Sequence, residues 1–240
     1  MKNNFFIKET PSTNALMWKM IRESNLPEGF VLSTNFQMAG KGQQGNSWES
    51  EAGKNLLFSL LLYPHKLPVE QQFIISQLVS VGIKKALDEY TDGITVKWPN
   101  DIYWNDRKLA GILIENSLQG GQINSVVIGI GLNVNQSKFI SNAPNPVSLR
   151  LITGKRLDRK RLLNNIHKQI MELYFRMDQE EIRTKYAKGL FRKDGLHSFQ
   201  TPEETFQARI HTIHPDGQLE LETEGGEKRR FYFKEVQFVI

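Results

Sequence analysis

Lys97-Trp98-Pro99-Asn100-Asp101 is followed closely by Arg107-Lys108-Leu109-Ala110-Gly111. The Pro-Asn-Asp turn would expose a carboxylate and a carboxamide at a strand end. Asp101 could hold Mg²⁺ on a phosphate, because hard cations prefer oxygen ligands. Lys97 and Lys108 are expected at the ends of neighbouring strands. If both point inward, they make a positive cleft for phosphate or carboxylate. Spacing alone equally allows an ordinary hairpin with Arg107 and Lys108 in solvent. A second segment, Gln37 to Trp48, sets Gly40, Gly42 and Gly45 within six residues, with Lys41 among them. Its backbone amides could form an anion nest, and Trp48 offers a face on which a base could stack. The spacing is neither the phosphate loop nor the dinucleotide fingerprint, and an exposed loop anchored by Trp48 has the same composition. A third, Gly129-Ile130-Gly131-Leu132-Asn133, has glycines where close backbone approach is expected, then an amide suited to the edge of adenine or to an Asx turn.

Other chemistries lack support. With no cysteine among 240 residues there is no thiolate nucleophile, thiolate metal site or disulfide. No Gly-x-Ser-x-Gly elbow is present. The five histidines show no metal-ligand spacing, and His211 and His214 read as structural. The net charge is +5, with a basic surplus between Lys155 and Lys193. That surplus fits a solvated helical face, or a patch for an acidic partner. The N-terminus is too polar for a signal peptide. The longest apolar run, Leu56 to Tyr63, spans eight residues, against roughly 20 for a membrane helix. The expected location is the cytoplasm.

These segments need elements to hold them. Strands are expected at Phe5–Lys8, Gly29–Thr34, Leu56–Tyr63, Ile94–Trp98, Ile102–Trp104, Leu109–Ser117 and Asn124–Leu132. A helix should start at the Ser12-Thr13-Asn14 cluster and run to about Glu23. The clearest helix is Glu70–Tyr90, with apolar residues at helical spacing. The close succession of strands after it predicts a largely antiparallel sheet with helices packed on one side. Helices follow at Asp158–Met177 and Gln179–Lys188. Short strands at Thr205–Ile213, Gln218–Glu222 and Lys228–Phe233 then suggest a small β-barrel. The expected organisation is α+β, with a domain over 1–189 and a barrel over 190–240.

Taken together, Ser12-Thr13-Asn14, the Gln37 to Trp48 loop, the Lys97–Asp101 and Arg107–Gly111 pair, and Gly129 to Asn135 resemble the biotin protein ligases. The resemblance implies a mixed, largely antiparallel sheet with an SH3-like C-terminal barrel. It implies ATP and biotin as substrates with Mg²⁺, biotinyl-5′-AMP as intermediate, and transfer to a lysine of a biotin carboxyl carrier protein of acetyl-CoA carboxylase or a related enzyme. Lys108 would serve as the catalytic cation beside the biotin carboxylate and the α-phosphate. Ser12, Thr13, Asn14, Gln37, Lys41, Gly42, Gln43 and Gly111 would bind biotin. Gly40, Lys41, Trp48, Lys97, Asn100 and Asn133 would bind ATP or the adenylate, and Asp101 would face Mg²⁺.

The sequence departs from the family pattern in two ways. Four loop positions that are arginine in the best-known members are Lys41, Gln43, Gln44 and Asn46 here. This predicts a weaker electrostatic grip on the adenylate. The Ser12 motif also lies almost at the first residue, so no preceding DNA-binding domain, and no DNA partner, is expected. Family members include monomers and dimers, and the homodimer stays open. The alternatives are a lipoate or octanoate ligase of the related family, and a biotin sensor without ligase activity. A nucleic-acid-binding protein would explain the basic helices but not the glycine loop.

Overall fold

The computed structural model describes residues 3–42, 47–65, 67–140 and 145–240. The chain begins with β1 (Asn4–Thr10) and α1 (Thr13–Glu23), whose N-cap Ser12 accepts from the Ala15 amide. Next come β2 (Val31–Gln37), β3 (Leu56–Leu62), a 3₁₀ turn (Val69–Gln71) and α2 (Phe73–Leu87). Strands β4 (Ile94–Lys97), β5 (Asp101–Trp104), β6 (Arg107–Gln119) and β7 (Gln122–Leu132) follow. Helices α3 (Leu149–Thr153), α4 (Arg159–Arg176) and α5 (Gln179–Lys188) complete this part. A C-terminal group holds β8 (His197–Gln200), β9 (Thr205–Ile213), β10 (Leu219–Thr223), β11 (Lys228–Phe231) and β12 (Gln237–Phe238).

Seven strands form one sheet in the order β1-β2-β3-β7-β6-β5-β4, and β8 to β12 form a second. In the first sheet only β1 and β2 run parallel. The expected mixed, largely antiparallel α+β architecture is therefore observed. One expectation is corrected: the helices do not all lie on one side. Alternate residues of a strand face opposite ways. Phe58, Leu60, Val126, Ile128 and Ile130 enter the main core with α2 and α4, whereas Leu61 and Val127 pack with Met17 of α1. Covering on both faces explains why all seven residues of β3 are buried.

The long predicted helix is shorter, because the 3₁₀ turn precedes it and α2 stops at Leu87. Sequence reading missed α3, β8 and β12; five, four and two residues leave little periodicity.

The Trp98–Asp101 turn is held from three directions. Its Trp98–Pro99 peptide is cis. Trp98 Nε1 donates to the Gly217 carbonyl at 2.9 Å, and Tyr186 Oη, fully buried on α5, donates to the Pro99 carbonyl at 2.7 Å. Asn100 Nδ2 donates to the Ile112 carbonyl at 3.1 Å. Tyr186→Phe is expected to reduce unfolding stability by about 1–2 kcal/mol, because a buried acceptor loses its nearest donor. Urea titration measures this, and an unchanged midpoint would refute it.

His167 is expected to make stability depend on pH. Its Nε2 lies 3.0 Å from the Gly29 carbonyl. Burial lowers its pKa below the usual 6.5, against the opposing effect of that hydrogen bond. The unfolded chain then binds the proton more readily than the native one, so stability falls as pH drops below about 6.5. Partial solvation keeps the slope under the ceiling of about 1.4 kcal/mol per pH unit. His167→Gln should flatten that part of the profile, read as urea midpoints at about pH 7.5 and 5.5. Equal slopes in variant and parent would contradict the assignment.

Candidate active site

Three residues side by side in the sheet, Ser59 of β3, Gly129 of β7 and Leu113 of β6, set the first layer of the site. Leu57, Gly131 and Gly111 form the next layer, about 7 Å along the strands. The glycines leave bare backbone on the face that carries α1. Two side chains use that space. A Cβ at Gly129 would lie 2.6 Å from Asn14 Oδ1. A Cβ at Gly131 would lie 2.5 Å from the Trp48 ring, and one at Gly111 would lie 2.9 Å from it. The close approach expected at these glycines is thus made by the chain's own Asn14 and Trp48.

The helix start supplies the polar groups over the first layer. Gln37 Oε1 accepts from the Thr13 amide at 2.7 Å and from Thr13 Oγ1 at 3.0 Å. Among the described residues the Gln37 amide hydrogens have no partner. Ser59 Oγ donates to Asn14 Oδ1 at 2.6 Å, while Asn14 Nδ2 donates to Glu115 Oε2 at 2.8 Å.

Lys108 enters from the other end. It stands three positions before Gly111, which in a regular strand would place it on the opposite face. Ile102 pairs with Ala110 but the next residue, Tyr103, pairs with Lys108. This one-residue shift re-aims Lys108 onto the face of Gly111. Its Nζ lies 2.6 Å from Asp101 Oδ2 and 5.9 Å from the centre of the Trp48 ring.

Ser12, Thr13, Asn14, Gln37, Lys41, Gly42, Trp48, Asp101, Lys108 and Gly111 line one cavity of about 140 Å³. The expected residues that do not line it are Gly40, Lys97, Asn100 and Asn133. Gly40 backs onto the Trp48 carbonyl. Lys97 and Asn100 line an adjoining cavity of about 390 Å³, which shares Asp101 and Phe233 with the first. Lys97 and Lys108 are not on neighbouring strands, because β5 runs between β4 and β6. Lys97 Nζ sits 5.0 Å from the Tyr103 ring and 5.5 Å from that of Phe238. Burial pushes its pKa down; Asp101 opposes this, and Lys108 and Arg192 add to it.

Asn133 lies apart from both cavities. The structure holds its amide inside the wall, with Nδ2 donating to the Val147 carbonyl at 3.1 Å and Oδ1 accepting from Asn55 at 3.4 Å. It is 3% exposed, so it faces neither cavity. Gln43, and the loop substitutions at Gln44 and Asn46, lie outside the described residues. Sequence reading missed Ser59, Glu115 and Phe233. The serine interrupting an apolar strand was a visible signal; Phe233, which reaches the cavity from the turn after β11, left none.

The model of the Biotin/lipoate A/B protein ligase family matches residues 6–133, and the chain belongs to that family. It is 32% identical over 152 residues to the bifunctional ligase/repressor BirA of Bacillus subtilis, a match covering 61% of this chain and 46% of BirA. The biotin–[acetyl-CoA-carboxylase] ligase of Paracoccus denitrificans is 29% identical over 164 residues, 66% of this chain and 62% of that one. The chain spans about half the length of the first curated relatives it matches. Among solved structures, the biotin protein ligase from Aquifex aeolicus in complex with biotin and ATP superposes with a TM-score of 0.81. Its sequence identity is 26%, with 100% of both chains covered.

Proposed function

We propose that this chain uses ATP to activate biotin and then transfers the biotinyl group to a lysine of a carrier protein. The observation that carries the reading is the cavity itself: polar groups over Gly129 at one end and the Lys108 ammonium at the other. A cyclic urea offers both N–H donors and a carbonyl acceptor to the first end. The carboxylate of its side chain then reaches Lys108. The likeness to a ligase holding biotin and ATP supports the same contents here.

The chemistry needs two displacements. A biotin carboxylate oxygen attacks the α-phosphorus of ATP, forming a P–O bond as the bond to pyrophosphate breaks. The carrier lysine's amine then attacks the acyl carbon, and the C–O bond to AMP breaks. Lys108 offsets the repulsion between the carboxylate and the phosphate as they approach. Lys97, in the adjoining cavity, is a second cation for the phosphates. Trp48 lies over Gly131 with its buried indole N–H unpaired among the described residues. It provides a flat apolar wall for adenine or for the acyl chain.

Among the described residues no group of three histidine or carboxylate side chains could hold a metal. Asp101 is the single carboxylate among the described residues lining the cavity, and it is paired with Lys108. A lone carboxylate suits Mg²⁺ that arrives on the ATP phosphates and keeps most of its water. Magnesium therefore enters as part of the substrate, MgATP. No helix among the described residues is long and apolar enough to cross a membrane. We place the chain in the cytoplasm, where ATP and carboxylase carrier domains are found. Gln43, Gln44 and Asn46 reduce the positive charge of the loop, which favours a looser hold on the adenylate.

The test is transfer. A purified carrier domain with its target lysine should gain one biotinyl group, seen by mass spectrometry, only with both biotin and MgATP present. A carrier modified by lipoate in place of biotin would move the chain to the sister activity.

A further inference from the structure

Glu115 lies outside the cavity lining yet touches a residue within it. Its Oε2 accepts from Asn14 Nδ2 at 2.8 Å and from Trp18 Nε1 at 3.2 Å. Asn14 Nδ2 also faces the Leu113 carbonyl at 3.4 Å. A carboxamide can point either way, since its oxygen and nitrogen are similar in size. Here the choice is forced. An ionised carboxylate and a carbonyl can only accept, so the NH₂ group must face them. The oxygen then lies toward Ser59, on the bare backbone of Gly129 in the cavity floor. Ser59 alone would not fix this, because a hydroxyl both donates and accepts. Both hydrogens of Asn14 are engaged, and one lone pair of its oxygen remains.

We propose that Glu115 is a positioning residue that fixes the direction of the Asn14 carboxamide. The cavity thereby meets Asn14 only as an acceptor and selects acids whose ring carries N–H groups. This rests on the biotin reading above. A cyclic urea supplies the hydrogen. The dithiolane of lipoate and the methyl end of octanoate supply none, and would cover that oxygen while leaving its second lone pair unused beside the bond from Ser59. The same network thus favours one acid of the family over the other.

Glu115→Gln keeps the shape but lets position 115 donate as well as accept, so only the Leu113 carbonyl, at 3.4 Å, still holds the direction of Asn14. The measurements are biotin affinity by calorimetry and acid-dependent ATP–pyrophosphate exchange, on the full chain. The variant should raise Kd and KM for biotin about tenfold, with kcat and the KM for MgATP within about twofold, as expected for lost uniform binding. Its preference for biotin over lipoate should narrow by the same factor. An unchanged biotin KM would overturn the proposal. So would a rise in both substrates' KM together with a fall in Tm, which marks a merely structural role. Should Glu115→Gln fail to fold, Glu115→Asp draws the carboxylate back from Asn14 Nδ2. It should weaken biotin alone, by about threefold; no change would overturn the proposal. A parent protein that binds biotin without exchange would sink the ligase reading and leave the calorimetric ratio to decide on Glu115. A parent that does not bind biotin overturns both.

Discussion

Lys108→Ala is expected to lower kcat for biotin-dependent ATP–pyrophosphate exchange by about 10²–10³ while leaving Tm within a few degrees. The two halves of this expectation have separate causes. The Lys108–Asp101 pair is short, at 2.6 Å, but both side chains are 29% exposed. Pairs open to water contribute about 1 kcal/mol or less, so the fold loses little. The reaction loses more. A carboxylate must approach a phosphate, and Lys108 is the cation the strand irregularity aims into that space. Its charge matters most as the new bond forms, so kcat falls more than the affinity for either substrate. Lys108→Arg keeps the charge but spreads it over a planar fork, so recovery should be partial, roughly tenfold above alanine. If Lys108→Ala changed KM alone, the lysine would be a binding group and not a catalytic one.

Gly131→Ala should have an effect of similar size for a steric reason. The added carbon would fall 2.5 Å from the Trp48 ring and 2.6 Å from its Nε1. These are aromatic atoms in a packed cavity, not the end of a flexible chain. Trp48 must therefore leave its place over Gly131 and Gly111. Misplacement of about 1 Å around a reacting site typically costs 10²-fold, and kcat/KM for exchange should fall by about that much. Gly225→Ala, with only Thr223 Oγ1 at 3.9 Å from the added carbon, is the control and should match the parent. Equal activity in Gly131→Ala and parent would mean that the glycine is not required for Trp48 packing.

Both predictions rest on features that were only partly legible in the sequence. The strands and the helix start could be read because alternating apolar runs and the Ser12 cap are local patterns. The residues lining the cavity from Ser12 to Lys108 could be named because their motifs resemble a family. Their geometry could not. Lys108 reaches the cavity only through the irregular pairing of β5 with β6, a property of two strands at once. Glu115 meets Asn14 across 101 positions of sequence. Ser59 looks like an interruption in an apolar strand until Gly129 is set beside it. Asn133 was legible as an amide after a glycine-rich strand, but its partners were not: it ties Asn55 to Val147. Buried amides are drawn to backbone partners, and spacing carries no record of which partner wins.

The central claim is adenylation of biotin by this cavity. Biotin-dependent exchange of pyrophosphate into MgATP, with lipoate and octanoate in parallel, tests it most directly. Exchange is expected with biotin, none above background with the other two acids, and the signal should be lost in Lys108→Ala. Exchange driven by lipoate or octanoate but not by biotin would contradict it.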